Sequence, residues 1–120
     1  MRILVSGFLV GCLFLQGDVV VRGTVGIPEQ PINLSVKGQF KGAVAVAGLK
    51  WQDQSENELG FEVLRAGDGE EYKVVGFVGA NTVRYQDKIG RYISGSFVYK
   101  VRAYNEEGKS PESNAAAVWF

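Results

Sequence analysis

The sequence predicts an all-β domain, a seven-stranded antiparallel sandwich of two packed sheets. Three observations support this fold class. Short apolar alternations follow one another from residue 32 onward, and turn residues separate them about every 8–12 positions. After residue 17 no stretch repeats apolar residues with the helical period. The chain is 46% hydrophobic and 22% charged, which is typical of a folded globular domain.

The chain divides into a leader, a tether and one domain. Residues 1–17 begin with the positive Arg2 and continue with a run of 13 uncharged residues from Ile3 to Leu15. This pattern is typical of a secretory signal peptide, and the run is too short to span a membrane comfortably. Residues 18–30 are interrupted by glycine and proline, which indicates a tether. Residues 31–120 form the domain.

Two alternatives to cleavage stay open for the leader. The residues before Cys12 resemble a bacterial lipobox, in which the cysteine becomes the lipidated first residue, although apolar residues follow it where a polar spacer is usual. In the other alternative, residues 1–17 are retained as an apolar arm. The apolar run must then be covered by a membrane or another subunit, because soluble monomers rarely expose so large an apolar patch.

Each predicted strand shows an alternation of apolar residues. The strands are centred on residues 32–36, 43–51, 61–63, 72–78, 83–85, 97–103 and 115–119. The second strand has a register problem, because its valines and its other apolar residues have opposite parity: Val44 and Val46 against Ala45, Ala47, Leu49 and Trp51. Either the valines face outward, or Gly48 marks a bulge that resets the pleat.

Several segments, in the right order and spacing, resemble the fibronectin type III domain. They are Leu49-Lys50-Trp51, the loop from Asp53 to Glu58, Gly60-Phe61-Glu62-Val63, and Tyr99 to Asn105 followed by Gly108, Ser110, Ser113 and Asn114. The resemblance covers residues 31–119 and is closest to the bacterial members of the family. It implies a single immunoglobulin-like sandwich without enzymatic activity.

The resemblance also implies which residues fill the space between the sheets, with Trp51 as the central one. The predicted core residues are Trp51, Leu49, Phe61, Val63, Phe97, Tyr99, Val101 and Ala103. The family usually carries a tyrosine at the position of Phe97, and the hydroxyl of that tyrosine bonds the backbone at a corner of the sandwich. Tyr99 points to the same face, and we expect it to replace part of this contact.

Two loops are predicted to be held by their own polar side chains. Asp53, Ser55 and Asn57 precede the third strand, whereas Asn105 and Gly108 lie in the turn after the sixth. Short polar side chains of this kind bond nearby backbone groups and hold a turn. The first loop also contains oxygen ligands suited to calcium, but it lacks the spacing of a calcium-binding loop. We therefore predict a structural role and no metal site.

The composition argues against an enzyme. The chain has no histidine and one cysteine, so the usual general base, the commonest metal ligand and an intramolecular disulfide are missing. The adjacent glutamates Glu70 and Glu71 point apart on an extended chain and are predicted to be solvated. We predict no catalytic residue and no cofactor.

Basic and acidic residues are equal at 13 each, which indicates no nucleic-acid partner.

The sequence thus predicts a non-catalytic, exported binding or adhesion module with a protein or glycan ligand. Its predicted location is secreted or at the cell surface, with membrane contact only through the leader or a lipidated Cys12. The alternative is a structural subunit of a virion surface or an extracellular filament. In that assembly the N-terminal segment is an arm that pairs with the sheet edge of a neighbouring subunit.

Overall fold

The computed structural model of the protein describes residues 26–120, so the predicted leader, Cys12 and residues 18–25 of the predicted tether lie outside the described residues. The described part contains no helix that could cross a membrane. It contains eight antiparallel strands. They are β1 (Ile32–Lys41), β2 (Val44–Gln52), β3 (Gly60–Gly67), β4 (Lys73–Gly79), β5 (Arg84–Arg91), β6 (Ser96–Asn105), β7 (Gly108–Lys109) and β8 (Ala116–Trp119). The predicted all-β class is confirmed.

Two sheets form the sandwich. The first contains 3 strands in the order β1-β2-β5. The second contains 5 strands: its order is β4-β3-β6-β7, and β8 also pairs with β6. Strands alternate their side chains between the two faces of a sheet, so each sheet has one inward face and one outward face. The inward faces form the core, and the outward faces are the largest surfaces that the fold offers to a partner.

The strand count is eight rather than the predicted seven, because the structure adds the two-residue strand β7 around Gly108, where the sequence predicted only a turn after the sixth strand. Both β7 and β8 pair with β6, and between them lies Pro111, which has no N–H to donate to a ladder. Two serine side chains take over the pairing there. Ser110 Oγ accepts a hydrogen bond from the Ala103 N–H at 2.9 Å. Ser113 Oγ accepts one from the Val101 N–H, also at 2.9 Å.

The core is centred on Trp51, whose side chain is 3% exposed. Its ring packs edge-to-face with Phe61, with 5.6 Å between the ring centroids. Of the other predicted core residues, Leu49, Val63, Tyr99, Val101 and Ala103 are buried. Phe97 is only half-buried, because it lies near the beginning of β6 and packs against Phe120 at the border of the core.

The pairing of β2 with β5 contains a bulge, but it lies on β5 and not at Gly48. Pairing between β2 and β5 shifts between Ala45 and Val46, and the extra residue is Ile89 on β5. The strand β2 itself alternates regularly, so Val46 and Gly48 share the outward side with Lys50. The valines therefore lie on the outward side, and Val46 is nevertheless buried there.

Candidate binding surfaces

A buried polar cluster connects the two sheets. Asp87 on β5 is 6% exposed, and its Oδ2 accepts a hydrogen bond from Tyr99 Oη at 2.6 Å. The same oxygen accepts a second hydrogen bond from Arg65 Nη1 at 2.7 Å. Tyr99 and Arg65 lie on β6 and β3, so the cluster joins the first sheet to the second. Tyr99 thus bonds a carboxylate and not the backbone, unlike the corner tyrosine of the family.

The charges in this cluster support one another. Burial raises the pKa of Tyr99, and the neighbouring Asp87 carboxylate raises it further, so the phenol stays protonated and donates. Burial alone would lower the pKa of Arg65, but the hydrogen bond and charge of Asp87 outweigh it and raise that pKa. These three groups satisfy one another inside the sandwich. We therefore assign the cluster to the stability of the fold and not to chemistry.

The two predicted loops meet at the beginning of the described chain. Ser55 N–H donates to Asp53 Oδ1 at 2.9 Å, as expected for a self-bonded turn. The amides of Asn57 and Asn105 both donate to the carbonyl of Gly26 at 2.9 Å. The Asn105 side chain also accepts from the Gly108 N–H at 3.3 Å. These loops therefore hold residue 26 against the end of the sandwich.

The acidic groups of the first loop lie close to each other. Burial raises the pKa of Asp53, and the neighbouring Glu58 raises it further. Burial would also raise the pKa of Glu58, but the Asn81 N–H, which donates to its Oε2 at 2.9 Å, helps to lower it. Among residues 26–120, no group of three or more acidic or thiol side chains is placed to hold a metal ion.

The outward face of the second sheet carries a network of ion pairs. Arg102 Nε lies 2.9 Å from Glu62 Oε1, and Lys109 Nζ lies 3.0 Å from its Oε2. Burial would raise the pKa of Glu62, but the hydrogen bonds from Lys109 and Arg102 outweigh it and lower that pKa. Lys100 Nζ lies 3.1 Å from Glu112. The charges on this face are therefore largely paired with one another.

An apolar strip accompanies this network on the same face, and we call it the outer strip. Its residues are Phe77, Val74, Leu64, Val98 and Trp119, which the register places on outward positions of β4, β3, β6 and β8. Phe77 is 63% exposed and Trp119 is 71% exposed. The Phe77 ring packs edge-to-face on Tyr104, with 6.2 Å between their centroids.

The outward face of the first sheet has a different character, and we call it the basic face. It contains an open groove of about 470 Å³ between β1, β2 and β5. The groove is lined by Ser35, Lys37, Gly48, Leu49, Lys50, Arg84, Tyr85 and Gln86. None of the core and loop residues predicted from the sequence lies on an outward position of this face. Sequence reasoning missed the groove because its residues come from three separate strands.

No family model matches the sequence, and no curated protein matches it. Solved structures do match. Domains A168–A170 from titin are 20% identical, with a TM-score of 0.63 over 78% of this chain, which spans 32% of that one. A Fn3-like protein from Clostridium thermocellum is 21% identical, with a TM-score of 0.59 and coverage of 75% of this chain and 90% of that chain.

A fibronectin type III domain of human fibronectin type III domain containing protein 3 gives a similar result. It is 22% identical, with a TM-score of 0.59 and coverage of 82% of this chain and 89% of that chain. These likenesses agree with the two-sheet strand order described above. The chain therefore has the fibronectin type III fold, and the predicted resemblance is confirmed at the level of the fold.

Proposed function

We propose that this fibronectin type III module is exported and binds a protein ligand through the outer strip, without catalysing a reaction. The observation that carries the proposal is the exposure of Phe77 and Trp119, at 63% and 71%, on one sheet face. Aromatic side chains are enriched at the centres of protein interfaces and supply much of their binding energy. Export is supported by the leader, residues 1–17, with its signal-like pattern.

The ion pairs beside the strip suit the border of such an interface. Glu62 already accepts from Arg102 and Lys109, and Lys100 pairs with Glu112. A ligand can cover these groups without supplying a new countercharge, because their charges are compensated within the domain. The apolar strip then supplies the buried centre and the ion pairs supply the polar rim, as in typical protein interfaces.

Export is tested on the whole chain by its mature N-terminus. When the natural sequence is expressed in a bacterium, we expect mass spectrometry of the extracytoplasmic protein to find a start near Asp18. The matched control is Leu9→Arg, which interrupts the apolar run and should leave Met1 intact and the protein inside the cell. A wild-type protein that keeps Met1 contradicts the export proposal, and a start at Cys12 indicates lipidation in its place.

Ligand binding is tested by photo-crosslinking in the producing cells. A benzoylphenylalanine replacing Phe77 is expected to give one discrete conjugate with a second protein. The same probe at Glu70, an exposed loop residue outside the strip, is the control and should give none. Equal labelling at both positions, or no conjugate at position 77, contradicts ligand binding by the strip.

A second candidate function, the assembly subunit, is favoured by the edge strand β4. Within the described part of the chain β4 pairs only with β3, so its other edge has no strand partner, and the Tyr85 hydroxyl donates to the Val75 carbonyl of this strand. It carries the exposed Val74 and Phe77, and its only charged residue is Lys73. Free edges accept an added strand from another chain. In the crosslinking experiment, a conjugate with the mass of two copies of this chain supports this alternative against the first.

A further inference from the structure

We propose that the basic face binds an acidic polysaccharide, as a site separate from the outer strip. The strand register arranges this face in three rows across β1, β2 and β5. They are Ser35–Lys50–Arg84, Lys37–Gly48–Gln86 and Gln39–Val46–Lys88. Each row contains at least one cation. Successive rows lie two residues apart along the strands, which is roughly 7 Å.

Gly48 creates the groove in the middle of the face. It occupies the centre of the second row, so no side chain stands between Lys37 and Gln86. A Cβ at this position would meet only the Lys37 backbone oxygen, at 3.7 Å, which is an ordinary van der Waals contact. The space above Gly48 is therefore open. A side chain added at this position would fill the groove without straining the fold.

The cations of this face are not compensated by neighbouring acids. None of its outward positions carries an aspartate or glutamate. None of the ion pairs formed among residues 26–120 involves Lys37, Lys50 or Arg84. The chain as a whole is neutral, with 13 basic and 13 acidic residues, so charge is segregated and not in excess. A segregated cationic face attracts an anionic polymer.

The neutral residues on this face favour a polysaccharide over other anionic polymers. Ser35, Gln39 and Gln86 stand between the cations and offer both donors and acceptors to sugar hydroxyls. The one aromatic residue that lines the groove is Tyr85, whose side chain packs against the core and whose hydroxyl donates to the Val75 carbonyl, so the groove offers no platform on which nucleic-acid bases stack. The one apolar side chain in the rows, Val46, is buried, so nothing is placed to insert into a lipid bilayer.

The test measures binding of the whole mature protein to dextran sulfate, with unmodified dextran and a DNA duplex as comparison probes. We expect dextran sulfate to bind, with an affinity that falls as salt rises, and dextran not to bind. The double variant Lys50→Gln/Arg84→Gln should weaken dextran sulfate binding by about threefold or more, since each exposed charge pair contributes modestly. Gly48→Thr fills the groove without changing the charge and should weaken binding as well.

The control removes a cation from the other sheet. Lys73→Gln should leave the affinity within about twofold, because Lys73 lies on β4 and does not line the groove. An equal loss in this control and in the double variant, no binding of dextran sulfate, or tighter binding of DNA would overturn the proposal. Unchanged binding by Gly48→Thr would also overturn it. These results are independent of the outer strip, so crosslinking at position 77 can fail or succeed without affecting them.

Discussion

Replacing Trp51 by alanine is expected to destabilise the domain by about 3–5 kcal/mol, the usual cost of a large core deletion. Its ring is 3% exposed, lies between the sheets and packs edge-to-face on Phe61. Alanine leaves a cavity between the sheets that relaxation of the surrounding side chains closes only in part. Urea unfolding of the protein, followed by circular dichroism, measures the loss. It is large against the total stability of a domain of this size.

The control for this substitution is Trp51→Phe. The indole N–H has no hydrogen-bond partner among the described residues, so phenylalanine removes a buried unpaired donor and loses no hydrogen bond. It also keeps an aromatic ring beside Phe61. We expect it to cost clearly less than the alanine variant. A Trp51→Ala protein that unfolds cooperatively, with a free energy within about 1 kcal/mol of the wild type, would contradict the role of Trp51 as the centre of the core.

Replacing Asp87 by alanine is expected to cost about 3 kcal/mol, the lower end of the range for breaking a buried ion pair. The substitution leaves the Tyr99 hydroxyl without its acceptor and the Arg65 guanidinium without its countercharge. The expected cost lies at the lower end of this range because the Arg65 side chain is 15% exposed and keeps some contact with water. The free energy of unfolding in urea is again the measurement.

Two further variants separate this effect from ordinary loss of a surface charge. Glu112→Gln removes the partner of Lys100, but the Glu112 side chain is 36% exposed, so we expect less than about 1 kcal/mol. Arg65→Met combined with Asp87→Leu removes both charges together and should recover part of the stability lost in Asp87→Ala. An Asp87→Ala variant as stable as Glu112→Gln would show that the cluster does not join the sheets energetically.

The buried contacts of Asp87 could not be predicted from the sequence. The fifth strand was predicted around residues 83–85, because its apolar alternation ends at Tyr85, but β5 continues to Arg91. Asp87 shares the parity of Tyr85 and Ile89, which would place it inward once the strand is extended. An acidic residue at an inward position needs a partner. Its partner Arg65 lies 22 positions earlier, and nothing local to either residue indicates the other.

The basic face could not be predicted from the sequence either. Its cations lie on three strands, from Lys37 on β1 to Lys88 on β5, and each one taken alone resembles an ordinary solvated residue. Whole-chain counting also conceals them, because 13 acids balance 13 bases. Only strand pairing brings Lys50 and Arg84 into one row and places Gly48 beside them.

The burial of Trp51 followed from the resemblance to the fibronectin type III family. The sequence by itself determined the all-β class and the self-bonded turn at Asp53. These features depend on residues one to three positions apart, whose period-2 alternation and turn chemistry are local. Only the tertiary structure decided the break at Pro111, the cluster around Asp87 and the contrast between the two outward faces. These features depend on register, and register is set when distant strands pair to bury one common core.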